Sequence, residues 1–309
     1  MRFHKFDMNL LVVLDALLTE KNITMAGEKI FLSQSATSGA LARLREYFDD
    51  QLLVQVGRKM LLTPLAESLV KPVHDLLLQT QSTLEIKPTF SPKESNRHIT
   101  CIMSDYTATI VMPDVIRHVN QLAPGISFEV LSTDNSPVEE MEHGNADFLL
   151  MPERFHSSNH PYVELFDEEF VCICCKNNPD ISNSISSKDF FSMGHVTAQF
   201  GSSKRPTLDS IFLNEIKKER KIEVIVSSFN MIPISVAGTN RIAIIQKRLA
   251  QYWEKIIPIK ILPCPIQIPK ITWILQWHQY RAYDPCTLWL KDIILSTAKS
   301  KCVSNKMPQ

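Results

Sequence analysis

Leu32 to Tyr47, the stretch LSQSATSGALARLREY, constrains the chain more than any other segment. Ser33 stands just ahead of Ala36, Ala40, Leu41, Leu44 and Phe48, apolar residues spaced three or four apart, which predicts a helix with one buried stripe. A serine hydroxyl there accepts from an orphan N–H of the first turn, and Leu32 before it is placed to act as a hydrophobic staple. The opposite face carries Gln34, Ser35, Ser38, Gly39, Ala42 and Arg45. Small side chains let a helix press against a ridged surface, and glutamine can pair with both N6 and N7 of adenine while serine donates or accepts. An ordinary amphipathic helix whose outer face meets only water has the same spacing, so the segment alone leaves both readings open.

Its neighbours narrow the choice. Met8 to Thr19 places Leu10, Leu11, Leu14, Leu17 and Leu18 on one helical face, with Asp7 in capping position. Thr24 is positioned to cap a second helix, Met25 to Ile30, whose small Ala26 and Gly27 would let another helix approach closely. Three short helices with a tight turn before the last make a helix-turn-helix, and the third enters the major groove. Two short strands follow, Leu52 to Val56 and Met60 to Leu62, around Gly57-Arg58-Lys59. This is a wing whose Arg58 and Lys59 would meet phosphates, although a solvated hairpin turn has the same sequence signature. Lys plus Arg equals Asp plus Glu at 33 each, so no overall field draws the chain to nucleic acid. Residues 1–87 hold ten of each sign, and any DNA affinity must come from local placement.

Taken together, these residues resemble the LysR-type transcriptional regulators. The resemblance rests on MNLLVVLDALL near the N-terminus, Thr24-Met25-Ala26, LSQSATSGALARL at 32–44, and the LL…GR…LTP pattern of Leu52 to Pro64. The opening MRFHKFDMNLLVVLDAL and TPLAESL at 63–69 look most like the NodD and NahR branch. Several positions depart from the wider pattern: Ser35 where proline is usual, Gly39 where arginine is common, Arg45 in place of glutamate, and Gln55 where the wing often has arginine. The resemblance implies an all-α winged helix-turn-helix domain over 1–64. Its candidate DNA contacts are Ser33, Gln34, Ser35, Thr37, Ser38, Arg43, Arg45, Arg58 and Lys59.

Pro64 to about Glu85 reads as a long helix with Leu65, Leu69, Val73, Leu76 or Leu77, and Thr80 along one seam. Such a seam needs a partner. The resemblance implies the same helix of a second subunit, giving a homodimer or a dimer of dimers, with 65–87 as a dimerisation linker; packing onto the chain's own next domain is the alternative. Pro88, Ser91 and Pro92 break the pattern, and 88–96 reads as a hinge.

From Arg97 onward strands and helices alternate, beginning with strand His98 to Met103 and ending with a helix from Asp284 to about Ala298. A first series runs to Phe148–Met151 and a second starts at Phe170–Cys175, which predicts parallel sheets with helices on both sides. The resemblance implies an α/β, two-lobed, periplasmic-binding-protein-like effector domain over 97–309, one lobe from 97–165 with 265–309 and the other from 166–264. Ligands bind such sheets at strand ends and between lobes. The candidate effector-binding residues at strand ends are therefore Ser104, Asp105, Tyr106, Ser132 and Thr133 in one lobe, and Phe200, Gly201, Ser228 and Phe229 in the other. Their aromatic members suit an aromatic or flavonoid-like effector, which is what the NodD and NahR branch senses.

Other chemistries find little support. Cys172 and Cys175 form a C-x-x-C pair inside the apolar run FVCICC, which suits burial in a strand better than a redox or metal site. His156 and His160 have metal spacing only on a helix, and Ser157-Ser158-Asn159 with Pro161 predicts a loop. No G-x-S-x-G, P-loop or G-x-G-x-x-G occurs. No catalytic residue, metal or cofactor is expected. Seven irregularly spaced cysteines suit a reducing compartment, and no stretch approaches the about 18 apolar residues of a membrane span, so the expected location is cytoplasmic, and nucleoid-associated with promoter DNA as the partner. The sequence thus points to a sequence-specific DNA-binding transcriptional regulator responding to a small aromatic effector. A solute-binding or enzymatic α/β protein with an N-terminal helical assembly module is the alternative.

Overall fold

Leucines recurring at three- and four-residue intervals bury one face of α1 (Asn9–Glu20), where Leu10, Leu14, Leu17 and Leu18 are nearly inaccessible. Each leucine so buried contributes about 1.5–3 kcal/mol. Asp7 Oδ1 accepts the Asn9 N–H at 3.0 Å, as its sequence position predicts. Lys21 ends the helix in the left-handed region at φ 50°. The following cap is Asn22 rather than Thr24: its Oδ1 accepts the N–H groups of Thr24 and Met25 at 2.9 and 3.2 Å, so α2 (Ile23–Lys29) begins earlier than predicted. The computed structural model describes residues 6–57, 59–85, 90–133, 136–201 and 204–303. The chain divides into two units, Met1–Ile86 and Lys87–Gln309.

The first unit continues with α3 (Gln34–Phe48), β1 (Leu53–Val56), β2 (Lys59–Leu62) and α4 (Pro64–Glu85). Strands β1 and β2 pair antiparallel around Gly57, whose φ of 64° no side chain opposes. Ala26, Leu41, Leu44, Leu52 and Leu53 close the core over α1. The inward stripe of α3 differs from expectation, because Ala36 and Leu32 are exposed and Thr37 takes the buried place. Leu32 is exposed and the position a turn into α3 is held by the hydroxyl-bearing Thr37, so these two make no hydrophobic staple.

The seam of α4 divides in two. Ala66, Leu69, Val70, Val73 and Leu77 pack into this unit's own core, and His74 Nδ1 lies 2.8 Å from Asp15 Oδ1 of α1. Leu65, Leu76 and Leu84 point outward, Leu84 80% exposed. One apolar stripe predicted for a partner thus serves α1 along one edge and stays uncovered along the other.

The second unit contains two mixed sheets. The first joins β3 (His98–Met103), β4 (Ser127–Leu131), β5 (Phe148–Pro152), β6 (Tyr162–Glu168) and β13 (Ile271–Gln276) in the order β4-β3-β5-β13-β6. The second joins β7 (Phe170–Cys175), β8 (Gly194–Phe200), β10 (Lys221–Val226), β11 (Ile242–Gln246) and β12 (Ile259–Leu262) in the order β10-β8-β11-β7-β12, with short β9 (Arg205–Pro206) on β8. β3 pairs parallel with β4 and β5, and β8 with β10 and β11, as predicted; β13 against β5 and β6, and β7 against β11 and β12, pair antiparallel. Those strands enter from the other sheet without a helical crossover, which is what parallel neighbours require. The chain changes sheet between Glu168 and Phe170, a little after the predicted lobe boundary, because β6 is a strand the sequence did not announce: Glu164, Asp167 and Glu168 interrupt its apolar run.

Helices α5 (Asp105–Ile110), α6 (Met112–Leu122), α7 (Pro137–Glu142) and α12 (Pro285–Val303) accompany the first sheet. Helices α8 (Ser187–Ser192), α9 (Leu208–Glu215), α10 (Met231–Val236) and α11 (Lys247–Trp253) accompany the second. β7 is buried on both faces, so Cys172, Cys174 and Cys175 are core residues, and burial pushes the Cys172 and Cys174 thiols up. No helix among the described residues is long and apolar enough to cross a membrane.

Candidate nucleic-acid interface and effector cleft

Ser33 caps α3 as predicted: its Oγ accepts the Ala36 N–H at 3.2 Å and lies 3.0 Å from Ser35 Oγ. Beyond the cap the exposed face presents Gln34 and Ser35, then half-buried Ser38, with Gln34 Nε2 donating to Ser38 Oγ at 3.3 Å. Gly39 is open, with nothing within 4 Å of where a Cβ would stand, and exposed Ala42 continues the strip. The result is a smooth surface of small polar groups that a nucleic-acid groove can approach closely.

Two predicted contacts are turned to other tasks. Thr37 is 0% exposed and donates its hydroxyl to the Ser33 carbonyl at 3.0 Å; it faces α2, because only a small residue fits opposite Gly27. Arg45 reaches past the end of α3, its Nε and guanidinium donating to the carbonyls of Gln51 and Leu53, each at 2.8 Å. It ties the entry of the wing to the helix, a planar fork of donors reaching two backbone carbonyls at once. Arg43 is exposed and pairs with Asp7 at 3.2 Å, and Lys59 is exposed at the start of β2. Arg58 lies outside the described residues.

In the second unit, a cleft of about 680 Å³ opens between the ends of the two sheets. Of the candidate effector-binding residues, Ser104, Thr133, Phe200 and Phe229 line it. Ser104 also caps α5 and lies 3.1 Å from Thr107 Oγ1. Phe200 and Phe229 stand 4.7 Å apart, tilted, as one aromatic wall.

The other five candidates stand outside the lining. Asp105 is occupied by the second lobe: its carboxylate accepts the N–H groups of Phe229 and Asn230 at 3.2 and 2.8 Å and the Asn230 amide at 2.8 Å. Tyr106 is wholly buried behind the wall, edge-on to Trp273 at 5.4 Å and Phe229 at 6.4 Å, with its hydroxyl donating to Glu168. Burial pushes the Glu168 carboxyl up, opposed by that hydroxyl and by Arg248, whose Nε lies 3.3 Å away. Ser228 is taken up by the first turn of α10, accepting the Met231 N–H at 3.2 Å. Ser132 is exposed, and Gly201 forms a turn at φ 67°.

Sequence reasoning missed much of the cleft. Phe155, Leu208, Gln246 and Trp273 line it, and Arg205 reaches across from β9 to donate to the Thr133 carbonyl of the first lobe. Trp273 and Gln246 sit in strands where the alternation shows only burial, so nothing in the local pattern marks them. Arg205 follows the turn at Gly201, and which lobe it would face depends on how the sheets oppose each other.

Known protein families match both units of the chain. The model of the bacterial regulatory helix-turn-helix protein, lysR family, matches residues 8–67, and that of the LysR substrate binding domain matches residues 93–299. Nodulation protein D from Bradyrhizobium sp. (strain ANU 289) is 41% identical over 308 residues, covering 100% of this chain and 91% of that protein. A full-length OxyR variant from Pseudomonas aeruginosa superposes with a TM-score of 0.71 at 17% identity, covering 96% of this chain and 97% of that one. Full-length CbnR in complex with its target DNA superposes at 0.58 and 11% identity, covering 95% of this chain and 100% of that one. With both family models matched and a relative of this identity along its whole length, the chain belongs to the LysR family of bacterial regulatory helix-turn-helix proteins.

Proposed function

We propose that this protein is a sequence-specific DNA-binding transcriptional regulator that responds to a small aromatic molecule held in the cleft of its second unit. The observation that carries the reading is the exposed strip of α3, where Gln34, Ser35 and Ser38 stand free of bulk beside the open Gly39. In this reading Gln34 pairs with adenine, Ser35 and Ser38 make adaptable base contacts, and Ser33 meets the backbone. Arg43 and Lys59 meet phosphates, and Arg58 has that same role by its place in the wing sequence. The CbnR structure with its target DNA supports the docking of the shared fold on a duplex.

The domain division follows the same logic: 1–64 for DNA, 65–87 for association, 88–96 as hinge and 97–309 for the effector. The uncovered Leu65, Leu76 and Leu84 edge of α4 suits a second copy of the helix, giving a homodimer and, from it, a dimer of dimers. The aromatic wall of the cleft and the likeness to nodulation protein D favour an aromatic, flavonoid-like effector. Occupancy would shift the balance between lobe arrangements, and with it the bending of bound promoter DNA.

Nuclease footprinting on the DNA upstream of its own gene, at a stated salt concentration and with hydroxylated aromatic compounds added, tests this. A protected site whose extent changes with a compound is expected. Binding with no preference over random sequence would sink the regulator reading. Gln34→Ala should lose about 1–3 kcal/mol of discrimination at one base position.

A further inference from the structure

Gln246 ends β11 in the wall of the cleft, on a lining that also includes Trp273, Phe229 and Phe200. The residue is 2% exposed, and its Oε1 has no hydrogen-bond partner among the described residues. A carboxamide brings two donors and a two-lone-pair acceptor, and folds seldom bury one unmet. Three other polar groups of the lining have partners of their own. Ser104 Oγ accepts the Thr107 N–H at 3.3 Å, Thr207 Oγ1 lies 2.7 Å from Ser210 Oγ, and Trp273 Nε1 donates to Thr107 Oγ1 at 3.2 Å. The Gln246 Oε1 is thus a polar point in an aromatic-walled cleft whose partner the described residues do not supply.

The charges of the lining say what that partner can be. Arg205 is its guanidinium, engaged with the Thr133 carbonyl, and Glu139 and Glu142 are carboxylates. A ligand carboxylate would compete with two resident carboxylates for one cation, and would be poorly matched to an amide that offers no charge. An uncharged hydroxyl or carbonyl meets no such opposition. The terminal amide torsion is soft, so Gln246 can turn either its carbonyl or its NH2 toward such a group.

We propose that Gln246 is the residue that selects the effector, by hydrogen-bonding an uncharged hydroxyl or carbonyl on its ring system and so disfavouring aromatic acids. The assignment rests on the effector reading of the cleft. It deepens that reading by naming the group recognised and the side chain that recognises it.

The test uses the full chain and a matched series that keeps the rings constant: biphenyl, para-hydroxybiphenyl and biphenyl para-carboxylate. Binding is read by thermal shift and by fluorescence titration, in the wild type and in Gln246→Leu. Wild type should prefer the hydroxylated compound. The leucine variant should lose on the order of tenfold in its affinity for that compound while holding biphenyl as before. Without ligand, Gln246→Leu should melt no lower than wild type, because a buried carbonyl oxygen without a partner is replaced by an apolar group of similar size.

A ligand-free melt several degrees lower, preference for the carboxylate, or undiminished affinity of the variant for the hydroxylated compound would overturn the Gln246 assignment alone. Failure of the wild type to bind any member of the series would overturn the effector reading of the cleft, and this assignment with it.

Discussion

Thr37 Oγ1 lies 2.7 Å from the position a Cβ on Gly27 would occupy, and the Leu32 carbonyl oxygen lies 2.9 Å from it. The two helices of the DNA-binding motif therefore meet backbone to side chain, with no room for a methyl group. Gly27→Ala gains about 1 kcal/mol of helix propensity but incurs about 1–3 kcal/mol of overpacking. The neighbouring backbone carbonyl cannot swing away as a side chain would, which puts the cost in the upper part of that range and the net loss at up to about 2 kcal/mol. A lower denaturation midpoint for the helical unit, followed by circular dichroism, checks this; an unchanged or raised midpoint would show that α2 and α3 can separate freely.

Gly39 presents the opposite case. With nothing within 4 Å of its missing Cβ, Gly39→Arg should fit without strain and stabilise α3 by about 0.5–1 kcal/mol. The added guanidinium stands on the exposed strip, so DNA affinity should rise at low salt and the plot of log K against log salt should steepen by about 0.9 per new phosphate contact. A steeper plot locates the duplex on this face of α3, whereas an unchanged slope would place it elsewhere.

Arg45 is expected to act on stability before it acts on DNA. Arg45→Met keeps much of the stem but removes the charged donor from the carbonyls of Gln51 and Leu53, leaving Gln51 only its bond from the Leu53 N–H. The loss should be about 1–3 kcal/mol, felt in the wing, with faster amide exchange at Leu53 to Val56. Were the variant as stable as wild type and only weaker on DNA, the arginine would be a phosphate contact after all.

His195 makes the second unit acid-labile. It is fully buried, with Nε2 2.7 Å from the Phe190 carbonyl, and burial, helped by the charge of Arg220, holds its pKa down to about 4 from an ordinary 6.5. The unfolded chain takes up the proton first as pH falls, so the contribution is whole above about pH 6.5 and is lost progressively toward the folded value. Between pH 7 and pH 5 the loss should be on the order of 1–2 kcal/mol. His195→Gln keeps a donor near the Phe190 carbonyl and removes the titration, so its urea midpoint should vary less over that range. Parallel curves for the two proteins would remove His195 as the cause.

The elements of the first unit were legible in order because each is short and declares itself locally. Leucine spacing announces α1, Ser33 opens α3, Gly57 turns the wing, and Pro64 starts α4 at the residue expected. Resemblance in those same residues identified the family. Periodicity shows that a stripe is apolar but not how wide it is or how many neighbours share it. For that reason Thr37 passed for a surface residue, and the α4 seam for a single interface.

The sequence by itself determined the helix-turn-helix, the wing, the long helix and the alternation of strands and helices that follows, since these depend on neighbours within a turn or two. Tertiary structure alone decided which strand ends form the cleft, that Asp105 clasps the opposite lobe and that Arg205 reaches across it. It also decided that Gln246 is buried in the cleft wall with its Oε1 unmet. Those facts follow from the opposition of two sheets whose strands interleave along the chain, β13 returning to the first sheet only after the second is complete. Residues brought together across such separations leave no periodic trace, because no local spacing connects them.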